Sequence, residues 1–209
     1  MWGKLLIGSL LVLAAASEES RNAVERCLSA IDNPPPYRVS GPSVSIIIPT
    51  YNEEKFLPPL LASINNQTYS PIEVVVADCS TDSTPDIARS AGAVVVTSPK
   101  SCPAVARNDG ANGSSGEILI FMDADCVPSH DFTERLVSAL QNGAALAHGT
   151  DVLYDNMVLS TVMSPWRWWK PRAYTTGRGV AVWRDTFFAI GGYDESCDPM
   201  LDCREDLMF

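Results

Sequence analysis

The sequence predicts an α/β fold with a mostly parallel sheet flanked by helices. Two observations carry that expectation. Short, continuously apolar runs rich in Val and Ile recur at Val44 to Ile48, Ile72 to Ala77, Ala93 to Thr97 and Ile118 to Met122. Between them lie stretches with helical spacing of apolar residues. Strands buried on both faces lose the polar alternation of half-exposed strands, and alternation with helices favours crossover connections and hence parallel pairing.

The elements follow in order. Lys4 precedes an apolar stretch from Leu5 to Ala16, then Ser17-Glu18-Glu19. Twelve residues are short for a span, so residues 1–17 read as a secretory signal or short membrane anchor. Membrane association is the favoured expectation, with the secretory pathway or export as its alternative. Residues 18–42 comprise an amphipathic helix over Arg21 to Ile31 and a stiff linker at Asp32-Asn33-Pro34-Pro35-Pro36-Tyr37. The domain proper is expected over residues 43–209.

After the first strand, Phe56, Leu57, Leu60, Leu61 and Ile64 fall on one helical face. Pro58 and Pro59 are tolerated there only in the opening turn. Further helices are expected from about Pro85, from about Ala104, and from Ser129 or Asp131 to Leu140.

Composition bounds the function. A chain of 209 residues, 46% hydrophobic and 19% charged, can bury one sizeable core. Its net charge of −10 argues against general affinity for a nucleic-acid backbone, so no nucleic-acid partner is expected. Cys27, Cys79, Cys102, Cys126, Cys197 and Cys203 form no Cys-x-x-Cys pair. With His130 and His148 the only histidines, a structural zinc site is not indicated; mostly free, buried thiols are.

In open parallel sheets ligands bind at the carboxyl ends of the strands. Here those ends are polar and acidic. The first runs into Pro49-Thr50-Tyr51-Asn52-Glu53-Glu54, the second into Asp78-Cys79-Ser80-Thr81-Asp82-Ser83-Thr84, and the fourth into Asp123-Ala124-Asp125. Each has a plain structural reading, with Asn52, Glu53, Asp82 or Ser83 capping helices and the aspartates lying in a turn. On extended backbone, Asp123 and Asp125 face one side and offer paired oxygen ligands to a hard cation such as Mg²⁺ or Mn²⁺.

Taken together, Val44 to Glu54, Asp78-Cys79-Ser80-Thr81-Asp82, Ala106-Arg107-Asn108, Gly116 to Asp125, Gly191-Gly192-Tyr193-Asp194-Glu195 and Arg204-Glu205-Asp206 resemble the family 2 glycosyltransferases of the GT-A fold. The resemblance implies a Rossmann-like nucleotide-binding half and an inverting transfer from a nucleotide-diphosphate sugar to a carbohydrate, lipid-linked or other hydroxyl acceptor. By similarity, Pro49, Thr50, Tyr51, Asn52, Glu53 and Asp78 hold nucleobase and ribose, with Ser80 and Asp82 shaping that loop. Asp123 lies near ribose and metal, Asp125 is the main ligand of Mn²⁺ or Mg²⁺, and Asp206 is the general base with Glu205 beside it.

Arg107 has two roles open to it: contact with the donor diphosphate, or an ion pair with a site acid. Trp166-Arg167-Trp168-Trp169-Lys170-Pro171-Arg172 reads either as a sugar-stacking or membrane-interface surface or as packing beneath a loop. The chain stops soon after Asp206, where such relatives are expected to continue, so the domain reads either as a fragment or as a minimal version. A catalytically inactive nucleotide-sugar-binding module is the alternative from another class. A sugar-nucleotide nucleotidyltransferase fits less well, because Pro49 to Glu53 lacks a Gly-rich, basic phosphate loop.

Overall fold

A computed structural model of the chain describes residues 18–35, 37–99, 102–149 and 178–195. Its elements run α1 (Glu18–Asp32), β1 (Val39–Thr50), α2 (Leu57–Asn65), β2 (Tyr69–Asp78), α3 (Thr84–Ser90), β3 (Val94–Thr97), α4 (Pro103–Asn112), β4 (Ile118–Phe121), α5 (Phe132–Gln141), β5 (Leu146–His148), β6 (Val180–Trp183) and α6 (Arg184–Ala189). The six strands form one sheet in the order β3-β2-β1-β4-β6-β5. β1 pairs in parallel with β2 and with β4, and β2 with β3. β6 is antiparallel to both β4 and β5. The α/β, mostly parallel expectation therefore holds, with an antiparallel edge that the apolar runs do not announce.

The continuous apolar strands alternate in space although not in sequence. Val44, Ile46 and Ile48 of β1, with Ile118 and Ile120 of β4, pack into the layer containing Leu57, Leu60, Leu61 and Ile64 of α2 and Leu136, Val137 and Leu140 of α5. Ile47, Val75, Leu119, Phe121 and Val182 face the opposite layer, with Val105 and Ala111 of α4 and Phe187 of α6. Both faces of the central strands are thus covered, which is why Ile46 to Ile48 and Ile118 to Phe121 are apolar without a break, while the buried Ser45 is satisfied by Glu73.

α4 lies close to the sheet because Gly110 has no side chain. A Cβ there would meet Ile47 Cγ2 at 2.5 Å. The buried Gln67 caps α5 from a distance: its Oε1 accepts from Thr133 N and Oγ1 at 3.1 and 3.0 Å, and its Nε2 donates to Ser129 O at 2.8 Å. These bonds satisfy a helix N-terminus that has no side-chain cap of its own.

β1 begins at Val39, ahead of the apolar run expected from Val44, because Val39 and Ser40 already pair with Tyr69 and Ser70 before a register shift between Ser40 and Val44. α1 packs against α2, and Asn66 Nδ2 donates to Ala30 O and Ile31 O at 3.0 and 3.2 Å. Among the described residues no helix is long and apolar enough to cross a membrane. That overturns the expectation of a membrane-associated chain. Residues 1–17, on which it rested, lie outside the described residues, and the charged α1 that follows packs on the domain. Cys27, Cys79 and Cys102 are free thiols, with Cys102 buried.

Candidate active site

The chain passes from β1 to β2 and β3 on one side and only then crosses to β4 on the other side of β1, so the strand order reverses between β1 and β4. At such a switch point the loops leaving the carboxyl ends diverge and open a crevice. The loops after β1, β2 and β4 all stand at that edge, and they carry the acidic residues singled out above.

The first two loops are tied into one unit. Asp78, 6% exposed at the end of β2, accepts from Thr50 Oγ1 at 2.7 Å, from Ser80 Oγ at 2.6 Å and from Ser80 N at 3.1 Å. Ser80 Oγ in turn accepts from Asn52 N at 2.8 Å, and Asn52 Oδ1 accepts from Thr81 N at 3.0 Å. Asn52 adopts φ of 58°, a left-handed conformation that asparagine tolerates better than most residues. Glu53 N donates to Thr84 Oγ1 at 2.9 Å and Glu54 N to Asp82 Oδ2 at 3.4 Å.

Asp82 accepts from Thr84 N at 3.0 Å across the start of α3. Burial favours its neutral acid, yet the bonds from Thr84 and Glu54 prevail and hold its carboxyl below the ordinary range. Asp82 thus ties the first amide of α3, but the N-cap position itself, Ser83, makes no side-chain capping bond, and Asn52 bonds across to the second loop rather than to a helix. Tyr51 is left 56% exposed.

The β4 loop departs from the expected geometry. β4 ends at Phe121, and Ala124 and Asp125 lie in a turn in which Cys126 N donates to Asp123 O at 3.2 Å. Asp123 and Asp125 are therefore not i and i+2 on one extended face. Ala124 is buried between them and Asp125 is exposed.

Asp123 meets two arginines instead. Arg107 Nη2 donates to its Oδ1 at 3.0 Å, and Arg178 Nε stands 3.6 Å from its Oδ2. Of the two roles open to Arg107, the structure shows the ion pair, with the guanidinium side chain only 4% exposed.

Electrostatics mark this corner as acidic. Burial raises the Glu53 carboxyl above its ordinary range, and Asp125, Asp82 and Asp123 push it further the same way. Burial likewise raises Asp123, outweighing the two arginines, with Asp125 adding to the rise. A cation at Asp125 would relieve this repulsion. Among the described residues no group of three His, Cys, Asp or Glu side chains converges as a complete cation site.

Comparison with known proteins bears directly on this edge. Residues 45–193 match the family model described as Glycosyl transferase family 2. The chain belongs to that family. Glycosyltransferase AglE of Haloferax volcanii is 39% identical over 126 residues, which is 55% of this chain and 41% of the relative. An uncharacterized glycosyltransferase of Haemophilus influenzae is 32% identical over 122 residues, 54% of this chain and 49% of the relative. The chain thus spans about half the length of these curated relatives.

Among solved structures, a mannosyltransferase from Pyrobaculum calidifontis in complex with GDP-Man and Mn²⁺ aligns with a TM-score of 0.59 at 24% identity, covering 91% of this chain and 59% of that one. S. aureus TarS aligns with a TM-score of 0.59 at 21% identity, covering 79% and 53%. These likenesses establish the GT-A fold.

Glu205 and Asp206 lie outside the described residues, as does Trp166 to Arg172. Sequence reasoning missed Arg178 as the second partner of Asp123 and Thr84 as the partner of Glu53. It also missed the pairing of Asn108 with Tyr193. Arg178 carries no local signal, since only the docking of β6 beside β4 brings it near.

Proposed function

We propose that this chain forms the donor-binding and metal-binding part of an inverting glycosyltransferase, which moves a sugar from a nucleotide-diphosphate sugar to an acceptor hydroxyl. One observation carries the reading: the β1 and β2 loops are locked into one crevice wall through Asp78, opposite an exposed Asp125 at the strand-order reversal. The relative bound to GDP-Man and Mn²⁺ supports it through the shared fold.

The chain's residues divide the work. Thr50, Asp78 and Ser80 hold Pro49 to Glu53 in a fixed shape, so that Tyr51 and Asn52 meet the nucleobase and ribose without ordering cost at binding. Asp82 fixes the second loop at the start of α3. Asp125 holds the Mn²⁺ or Mg²⁺, with Asp123 behind it and kept in place by Arg107. The bound cation supplies charge neutralisation at the leaving diphosphate. Asp206 takes the acceptor proton, with Glu205 beside it, a contribution of about 10²- to 10⁴-fold for a well-placed base. The acceptor is a carbohydrate, lipid-linked or other hydroxyl compound.

The test is release of nucleotide from GDP-mannose and UDP-glucose with Mn²⁺ and a panel of sugar acceptors. Wild type is expected to release nucleotide, and Asp125→Ala and Asp206→Ala to lose most of that release. Equal release by all three proteins would refute the proposal; nucleotide binding without turnover in wild type would favour an inactive binding module.

A further inference from the structure

The loop Gly191 to Glu195 after α6 is fastened to α4 through one side chain. Asn108 Nδ2 donates to Tyr193 O at 2.9 Å and to Glu195 Oε1 at 2.9 Å, while Asn108 Oδ1 accepts from Tyr193 N at 3.0 Å. A single carboxamide thus mimics a strand partner for Tyr193, satisfying its backbone donor and acceptor together. Gly192 makes room for this contact. It has φ of +76°, and a Cβ there would stand 2.7 Å from Asn108 Oδ1 and 3.3 Å from Phe187 Cζ.

The fastened loop stands next to the acidic corner. Tyr193 is buried, edge-on to Phe121 with ring centroids 5.0 Å apart, and the Arg107 guanidinium lies 5.3 Å from its ring centre. Arg107 is also the residue that pairs with Asp123 at 3.0 Å. Adjacent residues of α4 therefore grip two things at once: Arg107 the Asp123 carboxylate, Asn108 the loop.

We infer that Asn108 is a positioning residue for the transfer reaction, holding the Gly191 to Glu195 loop in register with the Asp123 corner as a wall of the site. The inference rests on the proposed transferase activity. It predicts that freeing the loop impairs turnover without loosening the nucleotide crevice, because the Thr50, Asp78 and Ser80 network lies on other elements.

The experiment uses the full chain with Mn²⁺, GDP and UDP as binding probes and GDP-mannose and UDP-glucose as donors. In Asn108→Ala, hydrogen exchange at the Tyr193 amide rises at least about tenfold while β1 and β4 stay protected, as expected when a local bond is removed without global opening. In the same variant kcat falls about 10- to 100-fold, the scale of a misplacement near 1 Å, with nucleotide affinity held within about twofold. Asn108→Asp sets a carboxylate against Glu195 and the Tyr193 carbonyl, and is expected to be as poor. Adding Glu195→Gln to Asn108→Asp supplies an amide donor to the new carboxylate but leaves the Tyr193 carbonyl facing it, so kcat is expected to rise above that of Asn108→Asp without returning to the wild-type value.

An unchanged Tyr193 exchange rate in Asn108→Ala overturns the clamp. Nucleotide affinity falling in step with kcat, or no recovery in the double variant, overturns the positioning role in favour of general destabilisation. A loop released by Asn108→Ala in a protein whose wild type binds nucleotide yet transfers no sugar overturns the positioning role by removing the reaction, and leaves the clamp standing.

Discussion

Replacing Asp78 with asparagine isolates the junction that joins the β1 and β2 loops. Its carboxylate receives three donors: the Thr50 and Ser80 hydroxyls on Oδ1 and the Ser80 amide on Oδ2. An asparagine amide cannot serve all three. With its nitrogen toward Ser80 N–H, two donors oppose each other; with its nitrogen toward the hydroxyls, Ser80 Oγ must take a second donor beside Asn52 N. Either way one hydrogen bond to a buried carboxylate is lost and a donor is stranded, which costs about 2–3 kcal/mol. For a chain of this size that lowers Tm by roughly 5–10 °C, read by thermal unfolding followed by circular dichroism. Thr50→Val, which withdraws one donor, is expected to cost about half as much. An Asp78→Asn protein melting within about 1 °C of wild type would refute the account of this junction.

Three further outcomes follow from the same structure. Arg107→Met leaves the partly buried Asp123 with Arg178 alone, and is expected to destabilise by about 2–4 kcal/mol in urea unfolding. Gly110→Ala drives a methyl into Ile47 and forces α4 away from β1, costing about 1–3 kcal/mol by the same assay. Glu73 tests the pH dependence: burial alone would raise its carboxyl, but bonds from the Ser45 hydroxyl and from Ser115 N and Oγ hold it below the ordinary range. Its stabilisation is therefore complete above the unfolded-state value and is lost as pH falls through the folded one. Glu73→Gln should narrow the stability difference between pH 7 and pH 3 relative to wild type; an unchanged difference would contradict that assignment.

The frame of the fold was legible because strands buried on both faces must be apolar throughout, as Ile46 to Ile48 and Ile118 to Phe121 are. The edge of the site was legible for a related reason: polar residues stand where those runs stop. β6, Val180 to Trp183, is as long as β3, but nothing in its apolar run points to an antiparallel place beside β4. The turn at Ala124 was hidden because Asp123-Ala124-Asp125 fits extended and turned backbone equally well. Long-range amide bonds, such as Gln67 to Thr133 and Asn108 to Tyr193, depend on tertiary placement and leave no periodic trace. Arg107 remained open between two partners until β4 and α4 fixed its distance to Asp123.

The central claim is that the strand-end crevice binds a nucleotide through a cation held at Asp125. Its most direct measurement is the Tm of wild type and Asp125→Ala with GDP, with UDP, with Mn²⁺, and with each nucleotide plus Mn²⁺. At about 100 times the dissociation constant a ligand adds about 2.7 kcal/mol of stability. Wild type is therefore expected to gain roughly 5–10 °C with one nucleotide and Mn²⁺ together and far less with either alone, while Asp125→Ala gains little. No shift with any nucleotide, or the same shift in Asp125→Ala, would contradict the claim.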